Sequence, residues 1–202
     1  MKKIKVFYSI LIVFITICSC SSNPQNFLIL GKTFYSEISP QKLDTFYVQM
    51  RSNEFASIRI TEKHVRINAR VYDPQNSLIQ YKDENQMGDK EVVTIFSKES
   101  GIYKIIVGWN FNEPLTGKYT ITLDKLEGAG NNAVEKSKQL FDGWYEKYTP
   151  GAALLVIKNE KVVLKLTKGL ANLEDNIPIR TSSLFELASC SKQFTGYDSF
   201  AC

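Results

Sequence analysis

Histidine is almost missing from this chain: His64 is the single one in 202 residues. A histidine-rich metal site is thereby excluded, and little room is left for a Ser-His-Asp enzyme. Cysteine is scarce as well. Cys18, Cys20, Cys190 and Cys202 form no CxxC pair, which argues against a zinc ribbon or a thioredoxin-type centre. No basic stripe of the kind that binds nucleic acid is present. What the chain does have is enough apolar character to fold: 44% of its residues are hydrophobic and 23% charged. Its length suits one mid-sized domain or two small ones.

The longest apolar run lies at the start. Lys2, Lys3 and Lys5 precede Val6–Ile17, which is apolar apart from Ser9, Thr16 and the polar tip of Tyr8. That run is short for a bilayer span and suits the apolar part of a secretion signal. It ends in Ile17-Cys18-Ser19-Cys20, which resembles a bacterial lipobox, with an aliphatic residue, a small residue and then cysteine. The expectation is a lipoprotein signal peptide over 1–19, lipidation of Cys20, and a polar tether over 20–26. The resemblance implies secretion across the inner membrane to the cell envelope, held there by acyl chains and not by a spanning helix. Without the three signal lysines the chain has 22 basic residues against 21 acidic ones, a net charge of +1. The isoelectric point near 8.7 is therefore largely a property of the signal.

Residues 27–126 read as a strand-rich unit. Val65, Ile67, Ala69 and Val71 alternate with Arg66, Asn68 and Arg70, which puts the two sets on opposite faces of a strand. Further short runs stand at Phe46–Met50, Ser57–Ile60, Glu91–Phe96, Ile102–Trp109 and Lys118–Leu123, broken by turn residues such as Asp73-Pro74-Gln75-Asn76. About seven short strands over such a length predict an antiparallel sandwich. Leu43-Asp44-Thr45-Phe46-Tyr47-Val48, Val71-Tyr72-Asp73-Pro74-Gln75-Asn76, Gly101-Ile102-Tyr103-Lys104-Ile105-Ile106-Val107 and Gly117-Lys118-Tyr119-Thr120-Ile121-Thr122-Leu123 occur in the order seen in jelly-roll accessory domains of secreted peptidases, the pre-peptidase C-terminal type. That resemblance implies a spacer, a stabiliser or a weak binding module. Tyr72, Tyr103, Trp109 and Tyr119 are expected as core and sheet aromatics before a ligand-stacking face. Asp83, Glu84 and Asp89 lack the alternating spacing of a calcium loop and read as a solvated acidic loop.

Glu127-Gly128-Ala129-Gly130-Asn131-Asn132 marks a break, read as a linker over 127–131. Asn132 then offers a helix cap, with Glu135 three residues on as in a capping box. Val134, Phe141, Trp144, Tyr145 and Tyr148 suit one helical face. Ala152–Ile157 and Val162–Leu166, separated by Lys158-Asn159-Glu160-Lys161, predict a hairpin.

Ser189-Cys190-Ser191-Lys192 spells S-x-x-K, and so does Ser39-Pro40-Gln41-Lys42. Chemistry requires the serine at a helix start with the lysine one turn on, over the same face. The helix end then favours developing negative charge, and a lysine stripped of its proton by burial or a neighbouring cation can take the hydroxyl proton. The Ser39 match contains a proline and precedes no helical pattern. Pro150-Gly151-Ala152-Ala153-Leu154-Leu155-Val156-Ile157-Lys158, then Gly169-Leu170-Ala171-Asn172, then Leu184–Thr195 around Ser189 together resemble the class C beta-lactamase-related serine hydrolases, a family of β-lactamases, penicillin-binding DD-peptidases and esterases. The resemblance covers about 132–195. It implies that Ser189 is the acylated nucleophile, that Lys192 is its proton-accepting partner, and that the Ser189 backbone N–H is half of an oxyanion hole. The implied substrate is a small molecule or peptide: a β-lactam, a D-alanyl peptide or an ester. No metal or organic cofactor is implied.

The fold class expected is a jelly-roll-like β-sandwich followed, over 132–202, by a truncated α+β start of a beta-lactamase-like domain. The later Y-x-N and H-x-G or K-T-G elements have no counterpart, since Tyr197-Asp198-Ser199 lies too near Lys192 to approach the serine from another segment. Gly196 and Asp198 disfavour a continuing helix. Cys190 is expected as a small buried side chain. The hairpin is expected to expose strand edges and apolar surface, and the chain to lack hydrolase turnover. The alternative is a non-catalytic envelope lipoprotein whose sandwich is its one working module.

Overall fold

A computed structural model of the chain describes residues 26–40, 42–63, 65–83, 90–109, 116–144 and 149–200. The signal, Cys20, residues 20–25 of the tether, His64, Glu84, Asp89, Tyr145, Tyr148 and Cys202 lie outside the described residues, as do the side chains of Trp109 and Trp144. Among the described residues no helix is long and apolar enough to cross a membrane.

Among the described residues eight strands build the first part: β1 Thr33–Ile38, β2 Leu43–Met50, β3 Glu54–Lys63, β4 Ile67–Tyr72, β5 Leu78–Lys82, β6 Lys90–Phe96, β7 Gly101–Trp109 and β8 Gly117–Gly128. They form two four-stranded antiparallel sheets, ordered β1-β8-β3-β6 and β2-β7-β4-β5. The pairs are nested. β4 pairs with β5, β3 with β6, β2 with β7 and β1 with β8, while β8–β3 and β7–β4 contacts close the roll. A long hairpin folded over and rolled in this way is the jelly roll. Two of its strands, β1 and β5, give no clear alternation in sequence. β5 ends its sheet with Leu78, Ile79 and Tyr81 exposed, so no buried face imposes a period on it.

The core lies between the sheets because alternate residues of each strand point there. Phe46, Val48 and Met50 meet Ile67, Ala69, Val71, Tyr103, Ile105 and Val107 from one sheet and Ile58, Ile60, Val93, Ile95, Ile121 and Leu123 from the other. Tyr103 and Tyr119 are core residues, as expected; Tyr72 is partly exposed with Lys104 Nζ 4.5 Å above its ring. Asn68 departs from the outward position expected for it and is buried. Its neighbour across the β4–β7 pair is Gly108, where an added Cβ would fall within 3.0 Å of both Leu43 and Asn68. Those two side chains fill the space that a residue at 108 would take.

One polar cluster ties three strands together. Tyr119 Oη donates to Asp44 Oδ2 at 2.6 Å, Ser36 Oγ donates to the same oxygen at 2.7 Å, and Lys42 Nζ lies 3.3 Å from Asp44 Oδ1. Burial, and then the hydrogen bond to the Asp44 carboxylate, push the Tyr119 phenol well above its ordinary value.

The second part begins with α1, Ala133–Trp144. Asn132 Oδ1 accepts the Glu135 N–H at 3.0 Å, and the Glu135 carboxylate returns to the Asn131 N–H at 2.7 Å, a capping box displaced by one residue. Residues 127–131 are held as well: Ala129 N donates to Asn53 O, Gly130 N to Gln139 Oε1, and Gln139 Nε2 to Glu127 and to the Gly128 carbonyl. α1 covers the outer face of β3 and β6. An added Cβ on Gly143 would lie 3.2 Å from Ser57 Oγ, and Lys136 Nζ stands 5.7 Å from the Phe96 ring. Beyond α1 run β9 Ala152–Lys158, β10 Lys161–Lys168, β11 Leu170–Asn172, β12 Ile177–Pro178, a 3-10 turn Ala188–Ser191 and α2 Lys192–Phe200. β9 and β10 form the expected hairpin, with Asn159 and Glu160 at φ 50° and 61°, as a two-residue turn of the primed type requires.

Tyr119→Phe removes a hydrogen bond to a charged acceptor and is expected to cost about 1.5–3 kcal/mol in denaturant titrations. Because the folded-state phenol is raised, its contribution is complete below the ordinary value of 10.0 and declines as pH climbs above it. The stability difference between wild type and variant should therefore be flat to that pH and shrink beyond it.

Candidate active site

Ser189 lies in the 3-10 turn and Lys192 is the first residue of α2. In a 3-10 turn, residues three apart eclipse each other, so the two side chains stack directly. Lys192 Nζ donates to Ser189 Oγ at 2.7 Å. The structure thus brings together the two residues expected to act as a pair. The serine precedes α2 by one tight turn and does not sit at its first position. The other S-x-x-K match differs. Ser39 and Lys42 lie between β1 and β2, with Lys42 N donating to the Ser39 carbonyl at 3.0 Å.

The backbone before Ser189 is unusual. Ala188 has φ 44°, a left-handed conformation that costs a non-glycine residue free energy, of order 1–3 kcal/mol, and that recurs at functional sites. Leu187, at the cap position, makes no side-chain capping bond. No sequence signal marks Ala188 for this conformation.

The approach to the turn depends on two glycines. An added Cβ on Gly151 would meet the Lys168 carbonyl at 2.2 Å, and one on Gly169 would meet Gly151 Cα at 2.5 Å; Gly169 also has φ 78°. Two backbones therefore cross where only glycine fits. The crossing is sealed by Leu170 N to Thr149 O at 2.8 Å, Gly151 N to Leu170 O at 3.1 Å and Ile179 N to Gly169 O at 3.0 Å. Asn172 then closes the β11–β12 turn by accepting the Asp175 N–H at 2.9 Å.

Two expectations are corrected. Cys190 is exposed and carries a free thiol, because the face of the turn on which it stands is covered by no described residue. α2 continues through Gly196 to Phe200. Gly196 has open space around it, and a single helical glycine costs only about 1 kcal/mol. Tyr197 lies on this same helix, as expected, and is exposed.

Ser189 and Lys192 are both exposed. The second part exposes many apolar side chains. Leu155, Ile157, Val162 and Val163 of the hairpin are exposed, Leu184 is 99% exposed, and Phe185, Leu187 and Phe194 are each at least half exposed. The opposite hairpin face is the packed one, where Leu164 is buried and α1 packs on β10. Lys168 Nζ reaches Asp142 Oδ1 of α1 at 3.1 Å. Among the described residues no group of three or more His, Cys, Asp or Glu side chains is placed to hold a metal ion.

The fold is thus a mainly β chain, a jelly-roll sandwich followed by a partial beta-lactamase-like region that carries a serine–lysine pair. The family model described as beta-lactamase matches residues 131–197, which include α1, the glycine crossing and the Ser189 turn. No curated protein matches the chain. Among solved structures, the pre-peptidase C-terminal domain of a collagenase from Bacillus anthracis aligns with 49% of this chain and 93% of its own, at 14% identity and a TM-score of 0.40. PliG of Aeromonas hydrophila, a periplasmic inhibitor of g-type lysozyme, aligns over 49% of this chain and 98% of its own, at 10% identity and a TM-score of 0.36. CorA, a surface-associated copper-binding protein of Methylomicrobium album BG8, covers 49% of this chain and 96% of its own, at 8% identity and a TM-score of 0.35.

Leu155, Ile157 and Val162 share one exposed hairpin face, and exposed apolar faces drive association. The purified chain is expected to bind an environment-sensitive hydrophobic dye and to elute in size exclusion larger than a monomer. Leu155→Lys with Ile157→Lys should weaken both signals, each replacement removing about 1.5–3 kcal/mol of burial drive. An unchanged elution volume and dye response in the double variant would assign the association to another surface.

Proposed function

We propose that the chain belongs to an envelope-anchored serine hydrolase of the class C beta-lactamase-related type, lipidated at Cys20, with Ser189 as nucleophile and Lys192 as its proton partner. The observation that carries this reading is the 2.7 Å Lys192 Nζ to Ser189 Oγ hydrogen bond, which falls inside the beta-lactamase match. In the reaction Ser189 Oγ attacks an amide or ester carbonyl carbon and its proton passes to Nζ. The tetrahedral oxyanion is met by the Ser189 N–H, the carbon–nitrogen or carbon–oxygen bond breaks, and the leaving group takes the proton. Water then releases the acyl group by the same steps in reverse order. β-Lactams, D-alanyl peptides and esters all present the carbonyl this chemistry uses.

A second reading, an envelope lipoprotein in which the sandwich alone works, is favoured by one observation: the pair is open to water, and no described residue stands over it as a further catalytic group. A preorganised, water-excluded site is worth far more than the same groups in solvent. We therefore expect acylation without turnover. A fluorophosphonate probe should add once per chain, at Ser189 by peptide mass, and not at all to Ser189→Ala, while nitrocefin is left unhydrolysed. Absence of the adduct would favour the second reading, and nitrocefin turnover at a normal enzymatic rate would contradict that reading and the expected lack of turnover.

A further inference from the structure

The open side of the sandwich holds a cleft that the hydrolase reading does not use. β5 and β6 end their respective sheets on this side, and between them lies a cavity of about 440 Å³. Its apolar lining includes Ile79 and Ile95; its polar lining is Asp73, Gln80, Thr94, Lys98, Glu99 and Tyr103. The donors and acceptors there are unbalanced. The Tyr103 hydroxyl is already given to the Glu99 carbonyl at 3.1 Å. Asp73 Oδ1 receives the Ser77 N–H at 2.7 Å and Glu99 Oε2 receives Gln75 Nε2 at 2.5 Å, which leaves one oxygen of each carboxylate outside these bonds. Gln80 Oε1 is buried with no hydrogen-bond partner. Buried acceptors in folded proteins are nearly always satisfied, so an orphaned one beside a cavity signals a missing donor. Among the described residues Lys98 is the one cation of the lining, and it is exposed.

We propose that this cleft binds a primary ammonium group on an apolar stem, of the kind carried by a lysine side chain. The ammonium has three donors and no acceptor, which matches a site of two carboxylates and one unpaired amide oxygen. The stem lies along Ile79 and Ile95, and among the described residues β5 and β6 are edge strands beside which an extended peptide carrying it can run. This inference does not depend on the hydrolase reading, because the cleft belongs to the sandwich.

The test is a calorimetric or NMR titration of the purified full chain with Nα-acetyl-lysine methylamide, its norleucine counterpart and pentylamine. The lysine compound should saturate and the norleucine compound should not. Glu99→Gln and Gln80→Met should each weaken the lysine compound about tenfold. Gln80→Met should melt no lower than wild type, since it deletes an unsatisfied acceptor. Pentylamine binding as tightly as the lysine compound supports the cleft as a site for free amines, and weaker pentylamine binding supports it as a site for peptides. Norleucine binding equal to lysine, no saturation by any of the three, or unchanged affinity in both correctly folded variants would overturn the proposal.

Discussion

Phe55 points away from the sandwich core, yet it is completely buried. With Phe96, whose ring centroid is 4.9 Å away, and with Ser57, it makes the outer face of β3 and β6 a second buried surface. α1 supplies the cover, and Gly143 lets the helix approach at a distance no larger residue would allow without displacing Ser57 or Thr94. This close approach explains the burial along β3. Its first half is buried on both faces, whereas its second half alternates buried Ile58, Ile60 and Glu62 with partly exposed Arg59 and Thr61. α1 in turn packs on β10 and presents Asp142 to Lys168, so one helix joins the jelly roll to the hairpin.

From that helix onward, position is set by backbone sterics more than by packing. The crossing of Gly151 and Gly169 fixes where β9 leaves and where β11 begins. The chain then reaches Ala188, whose left-handed φ turns it into a 3-10 turn before α2. The tightness of that turn, three residues and not 3.6, puts Lys192 over Ser189. The pairing is therefore a consequence of local geometry and holds although both side chains face water. What local geometry does not supply is enclosure: both side chains, and Leu184, Phe185 and Leu187 just before them in sequence, are exposed.

Most of this was readable wherever a buried face imposes a period or a special backbone imposes a residue type. β4 announced itself by Ile67, Ala69 and Val71, which are buried, as is Val65 just before it. The Asn132–Glu135 cap and the Lys158–Lys161 turn were explicit because a capping oxygen and positive φ values select few residue types. β1 and β5 stayed hidden because they are sheet-edge strands with partly solvated faces. The burial of Asn68 depends on a glycine forty residues away in sequence, Gly108, which only the register reveals. Of the site, the S-x-x-K spacing was legible. The strained Ala188 and the exposure of Cys190 were not, since neither follows from composition or spacing.

Proximity alone would make Lys192 a hydrogen-bonding neighbour; the functional account asks that it exchange a proton with Ser189. The pH dependence of Ser189 acylation by a neutral fluorophosphonate separates the two. If Lys192 is the proton partner, the acylation rate rises with pH through a single ionisation in the wild type, and Lys192→Arg, which keeps a permanent charge at that position, abolishes the rise. An identical rate–pH profile in wild type and Lys192→Arg would contradict the account and leave Lys192 a solvated neighbour of an ordinary serine.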